Sequence, residues 1–326
     1  MFISTIIPTI GRKTLARAVY SALEQNFEKY DFEVIVVNDS GKPLLVEDWM
    51  ESPQVKILHT NRHNRSVARN TGAAAARGMY LHFLDDDDWI LPGTFQHLWN
   101  QVSIADQAGW VYGGFRLVDN NGEIIKNLYP CETGNCFIHM LASEWIPLQA
   151  SLIKASAFFM VGGFAPLNTL EGGYEDIDLA RMVSRYYDFS YTSELVAAIR
   201  YGDLGSTTDY NNLLRQNRRS REKNLDSAGV FSRMLSSARN DNSHPHYWQG
   251  QVFYCFFVSI VWNLKRKHLL KAASRLMFTI LALAVSIRNM FSLDFWRGGF
   301  SPHHNLVRIT LGDLDNKFYT QTIWGR

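Results

Sequence analysis

The chain has 326 residues, of which 46% are hydrophobic, and this is enough apolar material for one large domain or two smaller ones. A net charge of only +2 argues against nucleic acid as a partner, because such proteins carry a clear excess of positive charge. The charge is unevenly distributed, however. Residues 213–290 carry 13 Lys and Arg against 3 acidic residues, a balance of +10 that leaves −8 for the remainder. The sequence therefore predicts an acidic body followed by a basic region.

The cysteines and the first residues indicate the cellular compartment. Cys131, Cys136 and Cys255 form neither an even disulfide set nor a zinc-binding pattern, which favours a reducing environment. Residues 1–8 lack a basic leader, and their apolar run is too short for a signal peptide. We therefore expect a first strand at this position and a cytoplasmic protein.

Strands and helices alternate over the first ninety residues. Apolar, β-branched runs predict strands at 2–7, 32–37, 55–58 and 80–83. Helical spacing predicts helices at 15–23 and 66–77. This order is typical of a doubly wound, mostly parallel α/β sheet. Three of the strands run into polar residues, namely Thr9, Asp39 and Asp85, so a ligand crevice is expected where the carboxyl ends of these strands meet.

Four consecutive carboxylates, Asp85 to Asp88, follow the fourth predicted strand. They repel one another and need a divalent cation, several hydrogen-bond donors or free access to water. Their position at the end of a core strand argues against free solvation. Aspartate oxygens suit Mg²⁺ or Mn²⁺, so a metal site is one interpretation, and a solvated acidic turn is the other.

A dinucleotide site is a rival explanation of the same sheet edge. The turn after the first strand reads PTIGR at 8–12, and no G-x-G-x-x-G occurs in the chain. The pyrophosphate of NAD normally requires those glycines for close approach of the backbone. The sequence therefore argues against an NAD-dependent oxidoreductase.

Four segments, in this order, resemble the successive motifs of glycosyltransferase family two. They are IIPT at 6–9, VVNDS at 36–40, ARN at 68–70 and LDDDD at 84–88. The D-x-D element alone is a weak signal, but the ordered set is specific. The resemblance covers about the first two hundred residues. It implies a GT-A fold, which is a Rossmann-like arrangement with a mostly parallel central sheet, together with a nucleotide-diphospho-sugar donor and Mg²⁺ or Mn²⁺.

The resemblance also implies roles for individual residues. Thr9 and Asp39 would face the nucleobase and ribose, with Asp39 accepting from a base N–H. Arg69 would lie near the diphosphate or hold Asp85 in place, and a purely structural ion pair is the alternative. Asp85 and Asp87 would form the D-x-D pair, with Asp87 as the direct metal ligand. The residues implied for nucleotide binding are Pro8, Thr9, Arg12, Asp39, Arg69, Asp85 and Asp86.

A second acidic cluster follows further strands predicted at 110–115, 124–128 and 149–153. It lies in EGGYEDIDL at 171–179, shortly after GGF at 162–164, and introduces a helix. Acidic residues at a helix N-terminus commonly serve as capping and dipole partners. By resemblance, however, this is the acceptor site with the catalytic base, which we assign to Asp176 with Glu175 as the alternative. That base would serve a single inverting displacement.

One segment departs from the family pattern. Many relatives carry a histidine shortly before a Gly-Ser-Thr segment, but here residues 200–208 read RYGDLGSTT. Asp203 is our candidate for a replacement metal ligand, and a flexible loop is the alternative.

The basic region contains two apolar runs, 252–262 and 276–287, with KRKH at 265–268 between them. Neither run reaches the ~20 residues needed to cross a bilayer. They predict two helices, in a hairpin with a basic rim. Two interpretations stay open. One is a helical subdomain that packs on the catalytic body, and the other is a cationic surface that lies on an anionic membrane.

Together these features predict a GT-A domain at 1–213 and a basic, mainly helical region at 214–326. The nucleotide-sugar half would comprise residues 1–115 and the acceptor half residues 116–213. The expected activity is metal-dependent transfer of a hexose-type sugar from a UDP-linked donor to a saccharide or lipid-linked saccharide. This would serve bacterial surface polysaccharide or lipopolysaccharide synthesis, on the inner face of the cell membrane. The alternative is a non-catalytic nucleotide-sugar or glycan-binding module on the same fold.

Overall fold

The computed structural model describes residues 3–27, 32–142, 146–165, 175–200, 210–241 and 244–300, without the side chains of 210–216. Residue contacts divide the chain into two compact units. The first comprises Met1–Thr133 and Ile146–Tyr210, and the second comprises Gly134–Trp145 and Asn211–Arg326. The domain boundary that we expect at 213 stays a prediction.

Within the described residues, nine strands of the first unit form one sheet. They are β1 (Ile3–Thr9), β2 (Phe32–Asn38), β3 (Val55–His59), β4 (Tyr80–Phe83), β5 (Trp89–Ile90), β6 (Trp110–Val118), β7 (Ile124–Leu128), β8 (Ser151–Lys154) and β9 (Phe189–Arg200). The strand order is β3-β2-β1-β4-β8-β6-β9-β5, with β7 paired to β6.

The helices are numbered in chain order. They are α1 (Leu15–Leu23), α2 (Arg65–Ala75), α3 (Thr94–Ile104), α4 (Phe137–Leu141), α5 (Ala155–Met160), α6 (Glu175–Ser184), α7 (Tyr210–Leu225), α8 (Val230–Asn240), α9 (Pro245–Lys265), α10 (Leu269–Val285) and α11 (Leu293–Phe300). Helix α4 and the helices from α7 onward are in the second unit, apart from the first residue of α7.

Strands β1 and β2 form the buried centre of the parallel part of the sheet. Every residue of both strands is buried, as expected for apolar strands covered on both faces. Strand β1 pairs in parallel with β2 and β4, and β2 pairs in parallel with β3. The carboxyl ends of β1, β2 and β4 therefore meet at one edge, where Thr9, Asp39 and Asp85 lie. This part of the sheet confirms the sequence prediction.

The other half of the sheet is mixed. Strand β8 is antiparallel to both β4 and β6, whereas β6 and β9 are parallel. Strand β8 begins at Ser151, because residues Leu148–Ala150 form a short 3-10 turn. Strand β9, at Phe189–Arg200, is 12 residues long and was not predicted from the sequence.

Helix α2 packs directly against β1 and supplies side chains to the acidic edge. Asn64 caps its N-terminus by accepting from the backbone N–H of Val67 at 3.2 Å. A Cβ atom on Gly72 would come within 2.4 Å of the Ile6 side chain. Glycine at this position therefore lets the helix approach the strand closely.

The second unit is helical within the described residues, which confirms the sequence prediction of a mainly helical region. Its core includes the buried side chains of Trp248, Val252 and Phe256 on α9. Helices α9 and α11 approach closely, because a Cβ atom on Gly250 would come within 2.0 Å of the carbonyl oxygen of Phe295. Among the helices described, none combines the length and hydropathy needed to span a bilayer.

Candidate active site

Asp39 fixes the loop that follows β2. Its Oδ1 accepts from the Thr60 hydroxyl at 2.7 Å and from the Arg62 backbone N–H at 2.8 Å, and its Oδ2 accepts from the Asn64 N–H at 2.6 Å. Burial raises the pKa of the Asp39 carboxyl, but these donors outweigh it and the net shift is downward. Asp39 is therefore held as a carboxylate at the end of its strand.

Asp86 connects the turn after β1 to the acidic cluster. Its Oδ2 accepts from the Thr9 hydroxyl at 2.6 Å, and its Oδ1 accepts from Arg12 Nη1 at 2.6 Å. The Thr9 oxygen also accepts from the N–H of Gly11 at 2.9 Å, where φ is +84°. Asp86 is only 2% exposed. The structure therefore brings Thr9, Arg12 and Asp86 together, with the Asp86 carboxylate holding the other two in position.

Arg69 lies between the two acidic clusters. Its Nη2 contacts Asp85 Oδ1 at 2.5 Å and its Nη1 contacts Glu175 Oε1 at 3.0 Å. Burial lowers the pKa of Arg69, but Asp85 and Glu175 outweigh it and the net shift is upward. Burial likewise raises the pKa of Asp85, and the Arg69 charge turns that into a net decrease. Helix α2 thus keeps Asp85 ionised at the sheet edge.

Glu175 and Asp176 are adjacent in sequence but differ in environment. Glu175 is buried and also contacts Arg65, which donates from Nη2 to Oε2 at 3.1 Å. Burial raises the pKa of Glu175, but Arg69 and Arg65 outweigh it, so the net shift is downward. Burial and the neighbouring Glu175 charge both raise the pKa of Asp176. Asp176 is therefore the better proton acceptor of the two.

Gln149 joins two carboxylates of the cluster. Its amide nitrogen donates to Asp85 Oδ2 at 3.1 Å and to Asp88 Oδ2 at 2.7 Å. Asp88 Oδ1 also accepts from the Arg200 backbone N–H at 2.7 Å. Burial, followed by the charges of Asp85 and Asp87, raises the pKa of Asp88 well above its usual range. The cluster thus holds more negative charge than its donors neutralise.

Asp87 has the most exposed side chain of the four aspartates in the cluster. It contacts Arg12 Nη1 at 3.1 Å, with 36% of its side chain exposed, and Arg17 donates to its backbone oxygen at 3.0 Å. Burial and the Asp85 charge raise its pKa. One carboxylate oxygen from each of Asp85, Asp87 and Asp88 lies within 4.8 Å of the others. These oxygens and their uncompensated charge fit a divalent cation such as Mg²⁺ or Mn²⁺.

The described residues bring most of the predicted site together. The contacts form two groups, one that joins Thr9 and Arg12 to Asp86 and Asp87, and one that joins Asp85 to Glu175 through Arg69. The groups adjoin because Asp85 and Asp86 are consecutive residues. Asp39 is joined to this edge through its backbone N–H, which donates to the backbone carbonyl oxygen of Thr9 at 2.8 Å. Pro8 lies buried within β1, in register with Val37 of β2. Asp203 lies outside the described residues.

Three further residues of the site were not predicted from sequence. Gln149 and Asp88 share a hydrogen bond, and Arg65 contacts Glu175. The only sequence signal for Asp88 is its place in the acidic run, and Arg65 lies four residues before Arg69 on α2, which puts both on one helix face. No local pattern distinguishes Gln149.

Comparison with known proteins agrees with this geometry. Residues 4–165 match the model of the family "Glycosyl transferase family 2". An uncharacterized glycosyltransferase of Haemophilus influenzae is 28% identical over 180 residues, which cover 54% of this chain and 60% of that protein. The poly(ribitol-phosphate) beta-N-acetylglucosaminyltransferase TarP of Staphylococcus aureus is 33% identical over 164 residues, covering 48% of this chain and 46% of TarP. The chain thus spans about half the length of these relatives.

A solved structure shows the same fold. The crystal structure of S. aureus TarS 1–349 in complex with UDP-GlcNAc matches with a TM-score of 0.56 at 14% sequence identity. The match covers 89% of this chain and 92% of that one. At this identity the likeness shows the fold alone, and that fold is GT-A. With the ordered motifs at the carboxyl edge of a GT-A sheet and the family match over that same region, the chain belongs to glycosyl transferase family 2.

Proposed function

We propose that this protein is an inverting glycosyltransferase that transfers a sugar from a UDP-linked donor to a saccharide or lipid-linked saccharide acceptor. The observation that carries the proposal is the connection of two acidic clusters through Arg69, which contacts Asp85 at one end and Glu175 at the other. The first cluster lies where a donor would bind, and the second supplies a carboxylate of raised pKa next to it. A donor site and a base at one edge are what a single displacement requires.

The nucleoside would bind at the ends of β1 and β2. Asp39 is held as a carboxylate at the end of β2, and by the family resemblance this carboxylate would accept from a base N–H. Thr9 and Arg12 lie at the turn beside it, with Pro8 in the preceding strand. TarS, which shares the fold, has been solved with UDP-GlcNAc and with UDP. That observation supports UDP as the nucleotide for this chain.

Asp87 and Asp85 would hold a divalent cation, with Asp88 beside them and Asp203 as a further candidate. The cation, when bound, supplies positive charge beside the diphosphate leaving group. Arg69 would keep Asp85 ionised and correctly oriented for this purpose. Asp86 would contribute indirectly, because both of its oxygens hold Thr9 and Arg12.

Asp176 would take the proton from the acceptor hydroxyl as that oxygen attacks the anomeric carbon. The oxygen–carbon bond forms as the bond to the nucleoside diphosphate breaks on the opposite face, so the anomeric centre is inverted. Glu175 would not take that proton, because its two arginine contacts lower its pKa. Its role would be to fix the N-terminus of α6 and so to position Asp176.

The acceptor and pathway are proposed from the relatives. TarP is named as a poly(ribitol-phosphate) beta-N-acetylglucosaminyltransferase, and its acceptor is therefore a bacterial polymer. We propose that this chain also acts on a component of a bacterial surface polymer, but that its acceptor is a saccharide or lipid-linked saccharide of a surface polysaccharide or lipopolysaccharide. The GT-A domain would extend over residues 1–213, with 214–326 as a separate region.

Calorimetric titration with a panel of nucleoside diphosphates, with and without Mn²⁺, tests the donor site. We expect UDP to bind in a metal-dependent way, and we expect Asp87→Asn to lose that dependence. Asp119→Asn, a carboxylate in the turn between β6 and β7, is the matched control and should bind as the parent does. Binding of no nucleotide would refute the donor site and favour a glycan-binding module.

A further inference from the structure

Helix α10 exposes most of its leucine, methionine and isoleucine side chains, although Phe278 and Leu283 pack partly buried against the core of the unit. The residues that face the interior are Ala272, Arg275, Thr279, Ala282 and Ser286. The opposite face includes Leu276, Met277 and Ile280, and Ile280 is 58% exposed. A helix on the surface of a water-soluble protein normally shows the reverse distribution. The outward face of α10 therefore needs an explanation.

Polar contacts fix this orientation of the helix. Arg275 is buried, and its Nη2 contacts Asp226 Oδ1 at 2.5 Å while its Nε donates to the Ser259 hydroxyl at 3.1 Å. Ser259 in turn donates to Glu222 at 2.6 Å. Rotating α10 to bury its leucines would break these contacts and leave Arg275 without its partner. The inward face is thus specified by satisfied polar groups.

The apolar exposure continues on either side of α10. Leu270 at its start is 88% exposed, and Phe291 beyond its end is 90% exposed. The neighbouring helix α9 packs along α10 and adds exposed side chains one turn apart. These are Phe257, Val261 and Leu264. An exposed apolar area of this extent commonly marks an interaction site.

Basic residues surround this apolar surface. Residues 244–300 contain seven Lys and Arg against a single acidic residue, Asp294. Lys271 and Arg275 are paired with Asp226, and Arg297 is paired with Asp294 at 3.1 Å, so the basic residues that matter here are the other four. The turn between α9 and α10 carries KRKH at 265–268, and Arg288 follows α10. Lys265, Arg266, Lys267 and Arg288 are all exposed. A partner for this face must therefore be apolar and negatively charged.

We infer that the exposed face of α10, with the basic residues at its two ends, lies on an anionic lipid surface. The leucine, methionine and isoleucine side chains would enter the boundary between headgroups and acyl chains, and the basic residues would contact lipid phosphates. This is an interfacial arrangement, and among the described helices none is both long and apolar enough to span a bilayer. It is independent of the proposed sugar transfer.

Charge favours lipid over two other occupants. A second copy that used the same face would bring the same excess of basic residues against it, and like charges oppose association. Residues 301–326 of this chain carry three basic and two acidic residues, so they do not complement the charge. An anionic membrane supplies both the apolar layer and the negative charge.

Vesicle flotation of the full chain tests the inference. We expect binding to mixed phosphatidylglycerol and phosphatidylcholine vesicles at low salt, little binding to pure phosphatidylcholine, and release at about 1 M salt, where the Debye length is about 3 Å. Replacing two basic residues, as in Lys265→Gln/Arg288→Gln, should lower the partition coefficient by about fivefold for each residue. The control pair Lys42→Gln/Lys56→Gln, exposed in the first unit, should bind as the parent does.

A second pair of variants tests the apolar face. Leu276→Ser/Ile280→Ser should lower binding by at least about tenfold for each residue. Leu45→Ser/Val46→Ser, which are 79% and 93% exposed in the first unit, serve as the matched control. Equal binding of the α10 variant and its parent, or binding that ignores lipid charge, would overturn the inference. A third result would also overturn it: the parent does not bind vesicles but forms a dimer in solution, and the α10 variant does not form that dimer. The exposed face of α10 would then bind a second copy of the chain.

Discussion

Arg69 Nη1 contacts Glu175 Oε1 at 3.0 Å, although the two residues are 106 positions apart in the chain. Both side chains are almost fully buried. The contact ties α2 to α6, and Arg69 reaches Asp85 at the sheet edge with its other terminal nitrogen. One guanidinium therefore sets the position and charge of carboxylates in both acidic clusters.

Replacement of Arg69 should be severely destabilising. Arg69→Met leaves Asp85 and Glu175 without their shared partner, and breaking a buried ion pair in this way costs about 3–5 kcal/mol. Urea denaturation without nucleotide measures the change. Arg65→Met is the control, because its side chain is 33% exposed and a more solvated pair contributes about 1 kcal/mol or less. Equal losses of unfolding free energy in the two variants would show that Arg69 is no more important than Arg65 for holding these carboxylates.

The parallel part of the sheet and the first acidic cluster could be predicted from sequence, because their signals are local. The apolar run that ends at Thr9 and the carboxylates from Asp85 to Asp88 are each contained within a few consecutive residues. Gln149 could not be predicted. It is 64 residues from Asp85, and its role depends on β8 pairing antiparallel to β4.

Strand β9 escaped prediction for a different reason. Its centre contains Thr192, Ser193 and Glu194, which interrupt any apolar alternation. At the same place the pairing with β6 shifts register beside Gly113 and Gly114. A Cβ atom on Gly113 would come within 2.9 Å of the backbone carbonyl oxygen of Glu194. The strand is therefore defined by its partner and not by its own periodicity.

Asp176 and Glu175 should differ in their effect on turnover. Asp176→Asn removes the proposed base, so kcat should fall by about 10²–10⁴-fold while UDP affinity stays near that of the parent. Glu175→Gln keeps the base but weakens the contacts with Arg65 and Arg69, so it should reduce stability more than turnover. Steady-state kinetics and calorimetry on both variants separate these roles. A larger loss of kcat in Glu175→Gln would reverse the assignment.

The pH dependence of kcat/KM should follow Asp176. Burial and the Glu175 charge raise the pKa of Asp176, and the base works only when deprotonated. Activity should therefore be present above that raised pKa and be lost as the pH falls through it, at a higher pH than the ordinary aspartate value of about 3.9.

The variant Glu175→Gln should shift the acid limb of the pH profile in a defined direction. Glu175→Gln removes the negative charge that raises the pKa of Asp176, so the acid limb should move to lower pH. The matched control is Asp178→Asn, on the same helix, for which we expect a smaller displacement. An acid limb that moves to higher pH in Glu175→Gln would show that another group controls it.

Gln149→Leu should destabilise the acidic cluster. The amide nitrogen donates to both Asp85 and Asp88, and hydrogen bonds to charged groups contribute about 1.5–3 kcal/mol. Leucine has a similar volume, so the loss should reflect the missing donor. Urea denaturation without added metal measures it. Gln101→Leu, which removes one bond to the neutral Ser190 hydroxyl at 2.7 Å, should cost less, and an equal or greater loss there would contradict this account.

Asp39→Asn should weaken both the fold and UDP binding. The amide that replaces one carboxylate oxygen would point N–H groups at donors, because Asp39 accepts from Thr60, Arg62 and Asn64. We expect a loss of about 1–3 kcal/mol in the free energy of unfolding. The pKa of Asp39 is lowered in the folded protein, so its contribution is present above the unfolded pKa and is lost as the pH falls through the folded one. Parent and variant should therefore converge in stability toward acid pH, and a constant difference across the titration would show that the charge of Asp39 is not the cause.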